Sequence, residues 1–360
     1  GESSMSWNEI RGHRHQEHLF RRAAQKDRLA STFLFVGPEG IGKRKFARQL
    51  ARSLFCERYG EEELQSCDSC PSCQQVTAGT HPDLLELRKP NDKNSLPIGM
   101  FAGSDDYGPG LCHDIAIKPA AGGRRIAIID DADFLSTESA NSLLKTLEEP
   151  PPRSILILLG TSEQQQLPTI LSRCQIVRFG PLPPTDLHEI LAGLELEEGT
   201  PLEDLVPASS GSVQQALLLH PPEVFAFRTQ LLQQLATLNP LEGDFLKSLL
   251  GFLGEKETEA ALKRAKLRFI ADLAIEFYGL LLQQTSGLNP DPPDSVSAQA
   301  LTQARERWAA PTVQLASLIE RTELMSSQIE MYLNSANLLG PWLADLSNLS
   351  HGRTLVPIEF

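Results

Sequence analysis

No stretch of this 360-residue chain is apolar for long enough to span a bilayer, and its first residues hold no apolar core of a secretory signal. Neither a membrane protein nor an exported one is expected; the reading is cytoplasmic. Basic residues are in the minority, 33 Lys and Arg against 46 Asp and Glu, for a net charge of −13. That balance excludes binding nucleic acid with the whole surface, which depends on counterion release by many Lys and Arg. Any DNA contact is expected to be local or made through partners. The rest is ordinary: 41% hydrophobic and 22% charged residues describe a globular protein, and the length calls for two or three domains. Gly1-Glu2-Ser3-Ser4 precede Met5 and are set aside in assigning the fold.

A further lack lies inside a motif. Gly37-Pro38-Glu39-Gly40-Ile41-Gly42-Lys43 follows the apolar run Thr32 to Val36 and precedes a helical pattern from Lys45 to Leu54, the context of a phosphate-binding P-loop. Gly37, Gly40 and Gly42 let backbone N–H groups curl around a phosphate, the helix N-terminus adds partial positive charge, and Lys43 can reach the terminal phosphates. The next position calls for Ser or Thr to hold Mg²⁺, and Arg44 stands there. Arg has no lone pair to give a metal.

The second half of such a site is Arg125-Ile126-Ala127-Ile128-Ile129-Asp130-Asp131, a buried-strand run ending in acids. Asp130 takes the metal-side place. In hydrolysing relatives of this pattern Glu follows and orients the attacking water; Asp131 is one methylene shorter. A displacement of about an ångström in a positioning group can cost on the order of a hundredfold in rate. The competing interpretation is that Asp130 and Asp131 cap the helix starting near Thr137.

Four of the six cysteines, Cys56, Cys67, Cys70 and Cys73, fall within one short stretch, and the last three form two CxxC steps sharing Cys70. Four thiolates on a small loop suit tetrahedral Zn²⁺ in a closed, structural site. An iron–sulfur cluster also accepts four thiolates, and disulfides are a third option that a cytoplasmic protein would not normally keep. Zinc is preferred because nothing else suggests electron transfer. Cys112 and Cys174 have no ligand-spaced partner and read as ordinary thiols.

Five β-type runs, Thr32 to Val36, Leu84 to Leu87, Arg125 to Asp130, Ser154 to Leu159 and Gln175 to Phe179, alternate with helical patterns and imply a parallel sheet covered by helices. Residues 88–117 are rich in Gly, Pro, Asp and Asn and read as a mobile surface insertion. Pro181-Leu182-Pro183-Pro184 marks a first boundary and Pro221-Pro222 a second. Beyond them the patterns are helical, with Leu262, Ala265, Phe269, Leu273, Phe277 and Leu281 at three- and four-residue steps.

Together with Thr80-His81-Pro82-Asp83-Leu84, the helix Asn141 to Pro151 and Leu171-Ser172-Arg173-Cys174, these motifs resemble one family, the bacterial clamp loaders of the AAA+ class, which serve DNA polymerase III in replication. The resemblance covers nearly the whole chain. It implies an α/β fold: an AAA+ P-loop parallel-sheet domain (5–181) with an inserted zinc module (56–83) and the flexible insertion (88–117), a small helical lid (182–222) and an all-α C-terminal collar domain (223–360). It also implies a five-subunit ring with motor subunits and a delta subunit, meeting the sliding clamp and primed DNA through that complex.

In this family the Arg of the Leu171 to Cys174 motif reaches across the subunit interface to ATP held by a neighbour, which assigns Arg173 a role in trans. The competing role for Arg173 is a salt bridge at a strand start. Thr161 falls at a polar sensor position, and uncharged Gln215 stands where ATP-using members carry a sensing Arg. Arg44, Asp131 and Gln215 therefore imply the non-hydrolysing stator of the family, not catalytic by itself, with ATP or ADP binding weak or absent at Gly37, Gly40, Gly42, Lys43, Asp130 and Thr161. The alternatives are a competent AAA+ ATPase, either motor or remodeller, in which Lys43 and Asp130 suffice, and a P-loop kinase, for which no acceptor pocket or Arg-rich lid is identifiable.

Overall fold

The computed structural model describes residue 7 and residues 10–91, 93–120, 123–237, 245–254, 260–307, 311–329, 335–351 and 353; residues 1–4 lie outside them. The chain forms two compact units, one of Gly1–Glu195 with Gly211–Gln214, the other of Leu196–Ser210 with Gln215–Phe360.

In the first unit, α1 (Arg14–Gln25) leads into β1 (Thr32–Val36) and α2 (Lys43–Phe55), then α3 (Pro71–Ala78), β2 (Leu84–Leu87), α4 (Gly99–Ala102), α5 (Leu111–Asp114) and β3 (Arg125–Ile129). A 3₁₀ turn (Ala132–Phe134), α6 (Thr137–Glu148), β4 (Ser154–Gly160), α7 (Pro168–Leu171), β5 (Gln175–Arg178) and α8 (Pro184–Ala192) follow. The five strands form one parallel sheet in the order β2-β3-β4-β1-β5. β1 and β4 are buried at every residue, as strands covered on both faces must be.

Alternation along β1 divides the core. Phe33 and Phe35 join Phe20 of α1, Phe46 of α2 and Phe179 in a cluster whose tilted and edge-on rings lie about 5–6 Å apart. Leu34 and Val36 enter the opposite core with Ala140, Leu143 and Leu147 of α6.

Residues 88–117 are not the mobile surface insertion their composition implied. Leu96, Phe101, Leu111 and Ile115 are buried in the core beside α6, Leu96 N donates to Phe134 O at 2.9 Å, and Ser139 Oγ donates to Leu96 O at 2.7 Å. The glycines that suggested looseness make tight turns: Gly103 and Gly110 hold φ of 90° and 81°, and a Cβ on Gly110 would lie 2.3 Å from Gly103 N. Apolar residues spaced between glycines were the signal of a packed segment.

The second unit is helical: α9 (Leu202–Ala208), α10 (Val213–Leu219), α11 (Pro222–Thr237), α12 (Phe245–Leu253), α13 (Ala260–Thr285), α14 (Ser295–Arg307), α15 (Thr312–Ser327) and α16 (Ser335–Ser350). The segment 182–222 is shared, since α8 lies in the first unit, α9 in the second, and α10 begins at the boundary. α13 packs on α15 and α11 on α14, and Phe227 stacks on Phe252 with centroids 3.8 Å apart. Leu262, read as part of the apolar stripe, is exposed. Arg228 is buried and donates to Asp294 Oδ2 at 2.5 Å, and the same carboxylate accepts from Ser297 N at 2.7 Å. No helix among the described residues is long and apolar enough to cross a membrane.

Candidate functional site

The glycine loop joins β1 to α2. Gly40 (φ 71°) and Gly42 (φ 98°) adopt left-handed conformations, and no side chain caps α2 at Gly42, so the first N–H groups of the helix remain for an anion. Packing also requires glycine here. A Cβ on Gly37 would lie 2.2 Å from Phe179 O, and one on Gly40 would lie 2.4 Å from Gln214 Cβ and Ser212 Oγ. The 211–214 segment is hydrogen-bonded onto the loop, Ser212 Oγ donating to Glu39 O at 2.9 Å and Val213 N to Gly40 O at 3.0 Å. Lys43 Nζ folds back to donate to Gly37 O at 2.5 Å and Pro38 O at 2.7 Å. Burial pulls its pKa down, against the upward pull of Glu39, Asp133 and Asp130.

Arg44 turns toward the acids. Its guanidinium lies 3.4 Å from Glu86 Oε1 and 3.8 Å from Asp130 Oδ2, while Arg48, one helical turn on, donates to Glu86 Oε2 at 2.7 Å. Burial, then Asp131, raise the Asp130 pKa; Arg44 and Arg88 oppose them. Asp131 sits at φ 58° with its Oδ2 accepting from Lys89 N at 3.2 Å and 3.5 Å from Arg88 Nε. Its carboxylate is thus engaged by the start of 88–117. Neither acid caps the following helix: Ser136 does, through Ser139 N at 3.1 Å. Mg²⁺ does not fit this donor set, because a fixed cation already faces Asp130 and no hydroxyl follows Lys43. Nucleotide phosphates do fit the loop.

Thr161 follows β4, and its N–H donates to both oxygens of Asp133, at 3.1 and 2.8 Å. Gln166 Nε2 binds the same carboxylate. Burial raises the Asp133 pKa, against the Thr161 hydrogen bonds. Gln215 falls in the second unit. Glu86, Arg48, Asp133 and His13, which bonds Ile41 O at 2.7 Å, were missed from the sequence; only folding brings them to the loop.

At the other end of α2, the Sγ atoms of Cys56, Cys67, Cys70 and Cys73 all lie within 4.8 Å of one another, and all six cysteines are free. A tetrahedral ion with metal–sulfur bonds of about 2.3 Å requires sulfurs that close, whereas a multi-iron cluster would hold them further apart around its inorganic core. Cys70 caps α3, accepting from Cys73 N at 3.5 Å, and Cys67 Sγ accepts from Cys70 N at 3.3 Å. Burial would raise the Cys67 thiol, but hydrogen bonds from Ser69 and Cys70 bring it down to about 6, in the range where the thiolate is available. His81 stacks on Phe55 with centroids 4.1 Å apart beside this module. The group can hold one ion with no position left over.

Arg173 lies between α7 and β5. Its Nε donates to Glu148 Oε1 at 2.7 Å, its Nη2 meets the same oxygen, and its Nη1 donates to Thr169 O and Ser172 Oγ, both at 3.0 Å. The salt bridge weighed as its alternative role is therefore present, made to an exposed partner.

A parallel sheet in this order, with a glycine loop after β1 and acids after β3 two strands away, is the nucleotide-binding module of the AAA+ class. Residues 12–183 match the family model described as DNA polymerase III, delta subunit. The DNA polymerase III subunit delta' of Pseudomonas aeruginosa is 32% identical over 220 residues, 61% of this chain and 64% of that one. Its Bacillus subtilis counterpart is 32% identical over 208 residues, 58% of this chain and 59% of that one. The DNA polymerase III subunit tau of Escherichia coli is 31% identical over 282 residues, 74% of this chain and 41% of that one. The match thus spans less than two thirds of each of these relatives. Residues 12–183 are thus those of the delta-prime and clamp-loader family of DNA polymerase III subunits.

Proposed function

We propose that this chain is the delta-prime-type stator of a clamp loader, a cytoplasmic subunit that does not hydrolyse ATP at its own site. In this reading it joins motor subunits and a delta subunit in a five-subunit ring that places the sliding clamp on primed DNA. An AAA+ domain (5–181), a lid (182–222) and a collar (223–360) divide the work, and Cys56, Cys67, Cys70 and Cys73 hold a structural zinc ion.

The observation that carries the reading is Arg44 facing Asp130 where a hydrolysing site needs a metal ligand. Asp131 adds to it, being engaged with Lys89 N. For Arg173 we infer a role in trans on a neighbour's ATP. Its support is position: the guanidinium is partly exposed and its partner Glu148 more so. Pairs of that kind are worth about 0–1 kcal/mol, so a phosphate can displace the carboxylate.

The test is reconstitution of the ring with Arg173→Ala, measuring assembly and DNA- and clamp-stimulated ATPase. Assembly should be nearly unchanged. A finger supplied in trans is worth about 10³ to 10⁵ in rate in GTPases, but only one of several sites loses it, so the expected loss is partial. Unchanged ATPase would leave Arg173 a structural residue. The isolated chain should show no turnover above background; turnover that disappears in Lys43→Ala would favour the competent ATPase instead.

A further inference from the structure

We propose that Arg44 is a built-in counter-cation, so that the glycine loop takes a nucleoside di- or triphosphate without a divalent metal. The inference rests on the reading of this site as one that does not hydrolyse.

Four observations lead there. The loop keeps its anion-binding parts: left-handed Gly40 and Gly42, an uncapped helix start, and Lys43, whose ammonium rests on the carbonyls of Gly37 and Pro38 and would exchange them for a phosphate. Two carboxylates from neighbouring strand ends, Glu86 and Asp130, hold the Arg44 guanidinium at 3.4 and 3.8 Å. Glu86 is itself steadied by Arg48 at 2.7 Å, so Arg44, though 41% exposed, has two acids to orient it. Asp131, the other acid at the strand end, faces Lys89 N and Arg88.

In P-loop proteins that use Mg²⁺, the ion sits between the strand-end acid and the phosphate oxygens and neutralises both. Arg44 faces Asp130 from the first turn of α2 with donors to spare, since a guanidinium offers five N–H groups and matches phosphate geometry in pairs. A divalent ion arriving there would meet a fixed like charge within a few ångströms and would find no hydroxyl ligand. Lys43, Arg44 and the helix N-terminus then supply the positive charge that Lys, Mg²⁺ and the helix supply elsewhere.

The experiment is isothermal titration of the full chain with ATP and, separately, ADP. One buffer contains Mg²⁺; the other is freed of divalent ions by chelating resin, since a dissolved chelator would also attack the cysteine site. The expected result is a Kd that changes less than fivefold between the buffers for the unaltered chain and for Arg44→Lys. Arg44→Thr, which restores a hydroxyl and removes the charge, should bind at least fivefold more weakly without Mg²⁺ than with it, and thermal melting would show that it is folded. A fivefold or greater weakening of the unaltered chain without Mg²⁺ would overturn the proposal. So would the absence of binding in both buffers, or an Arg44→Thr chain indifferent to the metal. None of these readouts involves the ring, so they stand or fall separately from the assembly and ATPase assays.

Discussion

One helix, α2, carries a site at each end, and the two differ in what is complete. At its N-terminus the backbone of a nucleotide loop is present while the groups that would touch metal and water are replaced or engaged elsewhere. Near its C-terminus the cysteine cluster has its full ligand set in reach of one ion. Glycines are satisfied by shape, and Gly37 and Gly40 are required by Phe179, Ser212 and Gln214 whether or not a phosphate ever enters. The other contacts of the cysteines, such as the α3 cap made by Cys70, do not call for four thiols at one point. A glycine motif therefore attests to a fold, whereas a four-thiol cluster attests to a ligand.

The contrast can be broken most severely at the cysteine end. Cys70→Ser should release the metal, from one ion per chain toward none by elemental analysis. It should also lower the stability of the first unit by several kcal/mol out of the roughly 10–16 that a structural zinc can supply. Wild-type protein found free of zinc, or carrying iron with visible absorbance, would end the zinc assignment. Cys112→Ser, at a half-buried thiol outside the cluster, serves as the near-silent control.

At the other end, Gly40→Ala tests whether the loop is held by packing. A left-handed non-glycine residue costs about 1–3 kcal/mol, and the new Cβ would lie 2.4 Å from Ser212 Oγ and Gln214 Cβ. An unfolding free energy lowered by about that amount, measured by denaturant titration without any nucleotide present, is expected; an unchanged value would mean that the glycine answers to phosphate alone.

The smallest effect concerns His13, whose ring bonds Ile41 O and packs edge-on against Phe179. Burial lowers its pKa below the ordinary 6.5, despite the Ile41 carbonyl and Asp186. Below pH 6.5 the unfolded chain takes up a proton that the folded chain resists, so this group's contribution to stability falls as the pH drops. The His13 imidazole resonances should stay those of the neutral ring at pH values where exposed histidines have already titrated.

Much of the first unit was legible because its signals are local. Each of the five β-type runs holds a strand, with β1 (Thr32–Val36) and β2 (Leu84–Leu87) matched end to end, since buried parallel strands announce themselves as short apolar runs between breakers. Arg44 and Asp131 stood out as departures from a pattern, and the cysteines as a spacing. What was illegible is what needs the third dimension. Glu86 is an acid on an edge strand until the fold sets it beside Arg44 and Arg48. Asp133 looks like a surface charge until Thr161 and Gln166 bind it. Composition misled at 88–117, where glycine and proline serve tight turns that bring Phe101 and Leu111 into the core.

That last segment also decides where this molecule can carry a label. Thiol chemistry is a poor choice, since all six cysteines are free and four belong to the cluster. Residues 104–109 are exposed, and a Cβ on Gly108 would meet nothing within 4 Å, so a short peptide tag has room at this turn. A few residues earlier the same insertion is anchored through Leu96 to Phe134 and Ser139. A fluorophore carried at the tip would sit on a tether rooted next to the strand-end acids.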